Sequence, residues 1–307
     1  MAWRLVSDVG GTNVRFARSE NGKELTGLKS YSVSAFPDFV SALEAYFAET
    51  GGKKGCDGAA IGAAGPIAGG SVTLTNVAWT ISEGEVSDRL GAPCTIINDV
   101  QAVAFALPYI SGSDFTVLGP VAPVLSNARR LFVANLGTGF GAATLIGTPS
   151  SWICCPSEAG HMTLVFPQWR DERLGLKFKS VEQILCGPGL SKLRAAIANE
   201  EPALSSAEVL ASAGSDPHSS DALGLFTQIA GNVLGNLTLA VAAWDGVFLC
   251  GSVARGFASI ADLTLLRQAF EDKGPMKEWM KRVPIALITK EDTALAGLAS
   301  MPFGASA

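Results

Sequence analysis

One kind of turn occurs twice in this chain, and its recurrence restricts the fold more than any other feature. Residues 3–7 (WRLVS) read as a buried strand, Asp8–Asn13 (DVGGTN) as a Gly-rich turn, and 14–19 as the returning strand of a hairpin. Residues 131–135 read as a strand again, NLGTGFG at 135–141 supplies a second Gly-rich turn, and 142–146 return. Both turns place a polar residue at a strand end, then glycines and a threonine. Two such hairpins in 307 residues imply two related lobes. A chain of this length also suits two cores, because single cores tend to split beyond roughly 250–300 residues. No Ser/Gly/Pro-rich linker marks the join, so the repeat itself places it, near residue 108.

The segments between the hairpins alternate strand and helix, as in an α/β protein. Strands are expected at 28–33, 57–64, 94–98, 247–250 and 285–288. CTIIN at 94–98 is a short β-branched run of the kind buried on both faces of a parallel sheet. Helices are expected at 37–49, where Phe39, Val40, Leu43, Tyr46 and Phe47 recur at helical spacing, and at 99–107, 219–244 and 292–300.

Composition excludes several functions. The formal net charge is -5, so nothing attracts the chain as a whole to nucleic acid or anionic membranes. No apolar run approaches the roughly 18 residues of a membrane-spanning helix. No charged-then-apolar leader opens the sequence. Six cysteines form no CxxC pair and there are only two histidines, so a zinc site is not expected. Reduced thiols in a cytoplasmic protein are the reading that follows.

Four motifs carry chemistry. In DVGGTN, the backbone N–H groups of Gly10 and Gly11 with Thr12 and Asn13 can point at an anion, and Asp8 offers a carboxylate for a Mg²⁺ shell. An ordinary hairpin turn would look the same. Gly137, Thr138 and Gly139 offer an opposing phosphate loop. In IIND, Asn98 and Asp99 end a buried strand at the start of a helix, where open α/β sheets bind ligands; either could instead cap that helix. Glu158 and His161 of SEAGH, with Glu182, would join Asn98 and Asp99 in reading sugar hydroxyls if they converge.

The motifs occur in the order found in bacterial ATP-dependent glucokinases of the actin-like, hexokinase-type superfamily, which the chain resembles over nearly its whole length. They are DVGGTN (8–13), GPIAGG (65–70), TNVAW (75–79), IINDV (96–100), GTGFG (137–141), EAGH (158–161), ILCGPGL (184–190), FLCGSVA (248–254) and FEDKG (270–274). The resemblance implies a two-lobed actin-like (ribonuclease H-like) α/β fold around a cleft. One lobe would span 1–108, with 290–307 packing back on it, and the other 109–289.

It further implies phosphorylation of D-glucose to glucose 6-phosphate by ATP and Mg²⁺, the first step of glycolysis. Asp99 would be the general base, and Asn98, Asp99, Glu158, His161 and Glu182 the sugar ligands. Asp8 would serve the metal. Gly10, Gly11, Thr12, Asn13, Gly137, Thr138 and Gly139 would hold phosphates, and Gly251 would lie by the adenosine. Homodimers are common among such enzymes. Two positions depart from the pattern: Ala159 and Ser252 stand where glycine is usual. A methyl at 159 is expected to narrow the sugar pocket, and Trp79 to lie near the cleft. The alternatives are a kinase for another hexose or amino sugar, and a non-catalytic sugar or ATP sensor.

Overall fold

The computed structural model describes residues 2–74, 77–164, 177–200 and 203–302. Thr75 and Asn76 of the TNVAW motif lie outside the described residues. The chain divides into two compact units. Unit 1 comprises Met1–Tyr109, Thr148–Cys154 and Glu291–Ala307; unit 2 comprises Ile110–Gly147 and Cys155–Lys290. Thr148–Cys154 thus groups with unit 1, whereas the sequence reading kept 109–289 together. Nothing local to that segment announces its long-range packing.

In unit 1 the strands are β1 (Trp3–Val9), β2 (Asn13–Ser19), β3 (Leu25–Ser32), β4 (Cys56–Ala63), β5 (Ile67–Ala68), β6 (Ser71–Thr73), β7 (Thr80–Ser82) and β8 (Cys94–Asn98). The main sheet has the order β3-β2-β1-β4-β8, and β5-β6-β7 form a small separate sheet. β1 is antiparallel to β2 and parallel to β4, and β4 is parallel to β8. The two-residue period of a strand sends alternate side chains to opposite faces. Leu5, Val9 and Ile61 accordingly join the core formed with Phe39, Leu43 and Phe47 of α1 (Phe39–Thr50). Val6, Ala60 and Ile97 join the other core, with Ala102, Leu295 and Leu298. Two further unit 1 helices are α2 (Glu83–Leu90) and α3 (Asp99–Ala106).

Unit 2 contains β9 (Phe115–Val117), β10 (Arg130–Leu136), β11 (Phe140–Gly147), β13 (Val247–Cys250) and β14 (Ile285–Ile288); β12 (Trp152–Ser157) straddles the division. The sheet order is β12-β11-β10-β13-β14-β9. β10 is antiparallel to β11 and parallel to β13, and β13 is parallel to β14. The run β11-β10-β13-β14 therefore repeats the arrangement β2-β1-β4-β8.

The helices are α4 (Gly187–Ala198), α5 (Ser206–Ser212), α6 (Pro217–Val241), α7 (Ser252–Ile260), α8 (Leu263–Glu271) and α9 (Lys277–Met280), with α10 (Thr293–Ser300) returning to unit 1. α6 begins where the Asp216 carboxylate accepts from the His218 and Ser219 N–H groups and ends at Ala242, which adopts left-handed geometry. Its glycines bring α8 close: a Cβ at Gly231 would stand 2.4 Å from the Leu266 carbonyl oxygen.

Candidate active site

In unit 1 the β1–β2 register pairs Val9 with Val14 and Asp8 with Arg15, so Gly10–Asn13 form the hairpin tip. The Gly10 N–H donates to the Asn13 carbonyl at 3.0 Å, and Val33 N–H to the Thr12 carbonyl at 2.9 Å. Gly11, Thr12 and Asn13 are exposed, as donors for a phosphate must be. The Asp8 carboxylate, 14% exposed, pairs with the Arg15 guanidinium at 2.6 Å, and Arg15 reaches Asp292 at 3.2 Å. Burial pushes the Asp8 carboxyl above its ordinary range; Arg15 opposes that shift and the Asp292 charge adds to it. Neither Arg15 nor Asp292 was singled out in the sequence. The signal was the hairpin itself, because a tip at Gly10–Asn13 sets Asp8 opposite Arg15.

Asn98 ends β8 and caps α3. Its Oδ1 accepts from the Val100 N–H at 2.9 Å, while the Gln101 side chain accepts from the Asn98 N–H at 3.0 Å. The Asn98 amide N–H₂ is left for a ligand. Asp99 opens the helix, and its Oδ1 also accepts from Val100 N–H at 2.9 Å. Burial first, and the charge of Asp8 second, push the Asp99 carboxyl up to about 6. Asp8 and Asp99 thus sense each other across the C-terminal ends of the parallel strands.

Among the described residues, no three His, Cys, Asp or Glu side chains gather into a metal cage. A Mg²⁺ beside a nucleotide needs none, since it takes one or two carboxylates with phosphates and waters. Arg15 engages Oδ2 of Asp8, which leaves Oδ1 for the ion's hydration shell. The residues fit a water-mediated Mg²⁺.

In unit 2 the β10–β11 register pairs Leu136 with Phe140, so Gly137–Gly139 form the tip. Thr138 is exposed. The Gly187 N–H, at the start of α4, donates to the Gly137 carbonyl at 2.8 Å. The Phe140 N–H donates to Oε2 of Glu182 at 2.8 Å. Gly139 supplies clearance for that carboxylate, because a Cβ there would meet Oε2 at 2.7 Å. Gly251 caps α7 at φ 100, and a Cβ on it would stand 2.3 Å from Asn135 Oδ1. Only glycine can bring the α7 N-terminus so close to the strand leading into the loop.

Ala159–His161 form a single 3₁₀ turn. The Glu158 and His161 side chains are 87% and 70% exposed, with Oε2 and Nε2 3.9 Å apart. Glu182 N–H donates to the Gly160 carbonyl at 2.9 Å, which brings Glu182 to the same turn. The site residues therefore gather as two groups. Asp8, Gly10, Gly11, Thr12, Asn13, Asn98 and Asp99 belong to unit 1, and Gly137, Thr138, Gly139, Glu158, His161, Glu182 and Gly251 to unit 2. One expectation fails. Ala159 is 2% exposed within the unit 2 core, so its methyl packs inward rather than into a sugar pocket. Trp79 is a core residue, packed edge-on to Phe39.

The family model for Glucokinase matches residues 5–302. The glucokinase of Nitrobacter hamburgensis is 34% identical over 315 residues, covering 98% of this chain and 97% of that protein. The crystal structure of glucokinase from an Antarctic psychrotroph superposes with a TM-score of 0.83 at 28% identity, covering 98% of both chains. That of Balamuthia mandrillaris glucokinase, in complex with glucose, gives a TM-score of 0.75 at 22% identity, over 97% of this chain and 92% of that one. Sequence over the full length and fold thus agree, and the chain belongs to the glucokinase family.

Proposed function

We propose that this glucokinase-family enzyme transfers the γ-phosphoryl group of ATP to the 6-hydroxyl of D-glucose, with Asp99 as the general base. The observation that carries this reading is Asp99 itself: a carboxylate that ionises near 6, at a helix start, within electrostatic reach of the phosphate hairpin. A base of that strength is ionised at neutral pH yet retains affinity for the proton of an attacking hydroxyl.

Phosphoryl transfer needs positioning and charge stabilisation more than covalent help. Asn98 donates to a sugar hydroxyl through its amide, Glu158 and Glu182 accept, and the His161 ring takes either part. Gly10 and Gly137 spend their own N–H groups on the Asn13 and Gly139 carbonyls and so shape the two turns, while the donors of Gly11, Thr12 and Asn13, and of Thr138 and Gly139, bind phosphate oxygens. The α7 N-terminus at Gly251 serves the nucleotide from unit 2. Mg²⁺, held through water by Asp8, would neutralise phosphate charge. Arg15 fixes the direction of that carboxylate. No described helix is long and apolar enough to cross a membrane. None of the six cysteines is in a disulfide, which supports a reducing, cytoplasmic setting.

A coupled ADP-release assay with ATP·Mg²⁺ and a hexose panel tests the reading. Glucose should give the highest kcat/KM. A better hexose or amino sugar would replace the substrate, and binding without turnover would leave a sensor.

A further inference from the structure

Glu182 is bonded in two directions. Its backbone N–H donates to the Gly160 carbonyl at 2.9 Å, inside the turn that carries Glu158 and His161. Its carboxylate Oε2 accepts from the Phe140 N–H at 2.8 Å, at the downstream end of the Gly137–Gly139 turn. The residue is itself held, because the Cys186 thiol donates to the Glu182 carbonyl at 2.9 Å and the Gly189 N–H donates to that sulfur at 3.3 Å. The missing side chain of Gly139 is what lets the carboxylate lie against the loop. A carboxylate that only read sugar would have no need of this contact.

We propose that Glu182 is a positioning residue for the Gly137–Gly139 loop as well as a sugar ligand, so that one carboxylate couples sugar occupancy to nucleotide affinity. The inference rests on the reading that this loop binds phosphate. A charge-assisted N–H···O⁻ bond is among the stronger single contacts in a protein. Oε2 is committed to the loop, and Oε1 remains for a hydroxyl. Without Oε2 the loop keeps the Gly187–Gly137 bond at its upstream end and loses its anchor at the downstream one. A sugar hydroxyl that orients the carboxylate then also steadies the amides facing the phosphates.

The test is nucleotide binding in the absence of sugar, measured by calorimetry with Mg²⁺ and a non-hydrolysable ATP analogue. Glu182→Ala should weaken that binding by roughly tenfold or more, the size expected for one lost charge-assisted bond. Glu182→Gln keeps an acceptor for the Phe140 N–H and should restore nucleotide affinity to within about threefold of the parent, while the glucose KM stays raised. That split between substrates is what a merely structural role would not produce. If the Ala variant does not fold, Glu182→Asp keeps the charge but falls short of Phe140, and should show the same nucleotide loss. Parental sugar-free affinity in the Ala or Asp variant overturns the coupling. Hydrogen exchange separates this from the underlying reading. If the analogue protects the amides of Thr138 and Gly139 in the parent, the phosphate loop stands and only the role of Glu182 falls. If it gives no protection, both fall.

Discussion

The proton affinity of Asp99 is set by what surrounds it, and this gives its prediction a definite sign. Its folded-state carboxyl titrates near 6, above the ordinary 3.8. The folded protein therefore holds that proton more tightly than the unfolded chain, a contribution complete below about 4 and lost as pH rises through about 6. Asp99→Asn is neutral throughout, so it should raise Tm by roughly 1–4 °C at about pH 8 and by less near pH 5. The same variant should lower kcat by about 10²–10⁴. In the parent, kcat/KM for glucose should fall below a pH of about 6 as Asp99 is protonated. Near-normal turnover in the variant would remove Asp99 from the chemistry. A Tm loss at high pH would show that its charge is not a burden to the fold. Asp99 was legible because IIND ends a strand and opens a helix. Ala159 was not, since spacing does not tell which side of a 3₁₀ turn faces the core. Arg15 needed the hairpin register, available only once the tip was fixed at Gly10–Asn13.

Helix α3 carries Asn98 and Asp99 at its start, and its position depends on α10. Gly297 of α10 lies so close to α3 that a Cβ would stand 1.7 Å from the Ala102 carbonyl oxygen. No side-chain rotation relieves a contact with backbone, so Gly297→Ala must part the helices. It should destabilise unit 1 by about 1–3 kcal/mol or more and lower kcat as the start of α3 shifts. Gly224→Ala, inside α6 where a Cβ would meet nothing within 4 Å, is the matched control and should lower neither. Parental Tm and kcat in Gly297→Ala would mean that the close approach does not constrain α3. Long elements were readable at this scale: α6 runs over Pro217–Val241 against an expected 219–244. The β5-β6-β7 sheet was not, because strands of two and three residues are too short to show a period. The close approach of α10 was equally hidden, since a lone glycine in an Ala/Leu helix looks like any small residue.

Unit 1 is assembled from three separate segments, and the last is supplied only after all of unit 2 has been made. The repeated hairpin announced two related halves, but no local pattern shows which distant segments complete each one. The segment from Glu291 onward is integral to unit 1. Leu295, Leu298, Ala299 and Met301 close the core over Val6, Ala17, Ala60 and Ile97, and Arg4 donates to the Met301 carbonyl at 2.9 Å. Arg15, which holds Asp8, takes its second partner from Asp292. Among the described residues, the unit 2 core of Phe132, Ile184, Phe226, Leu249 and Phe270 contains none from that segment. Ending the chain after Lys290 should therefore strip one face of the unit 1 sheet while leaving the unit 2 core covered. Hydrogen exchange should quicken in β1, β4 and α3, whose apolar residues are newly exposed, and stay slow in β10, β13, α6 and α8. Phosphorylation should be abolished, because Asp99 and Asp8 both depend on the face that is lost. Equal loss of protection in both sets of elements would show that the two cores unfold as one cooperative body. Retained turnover would show that α10 does not hold the Asp99 carboxylate in place.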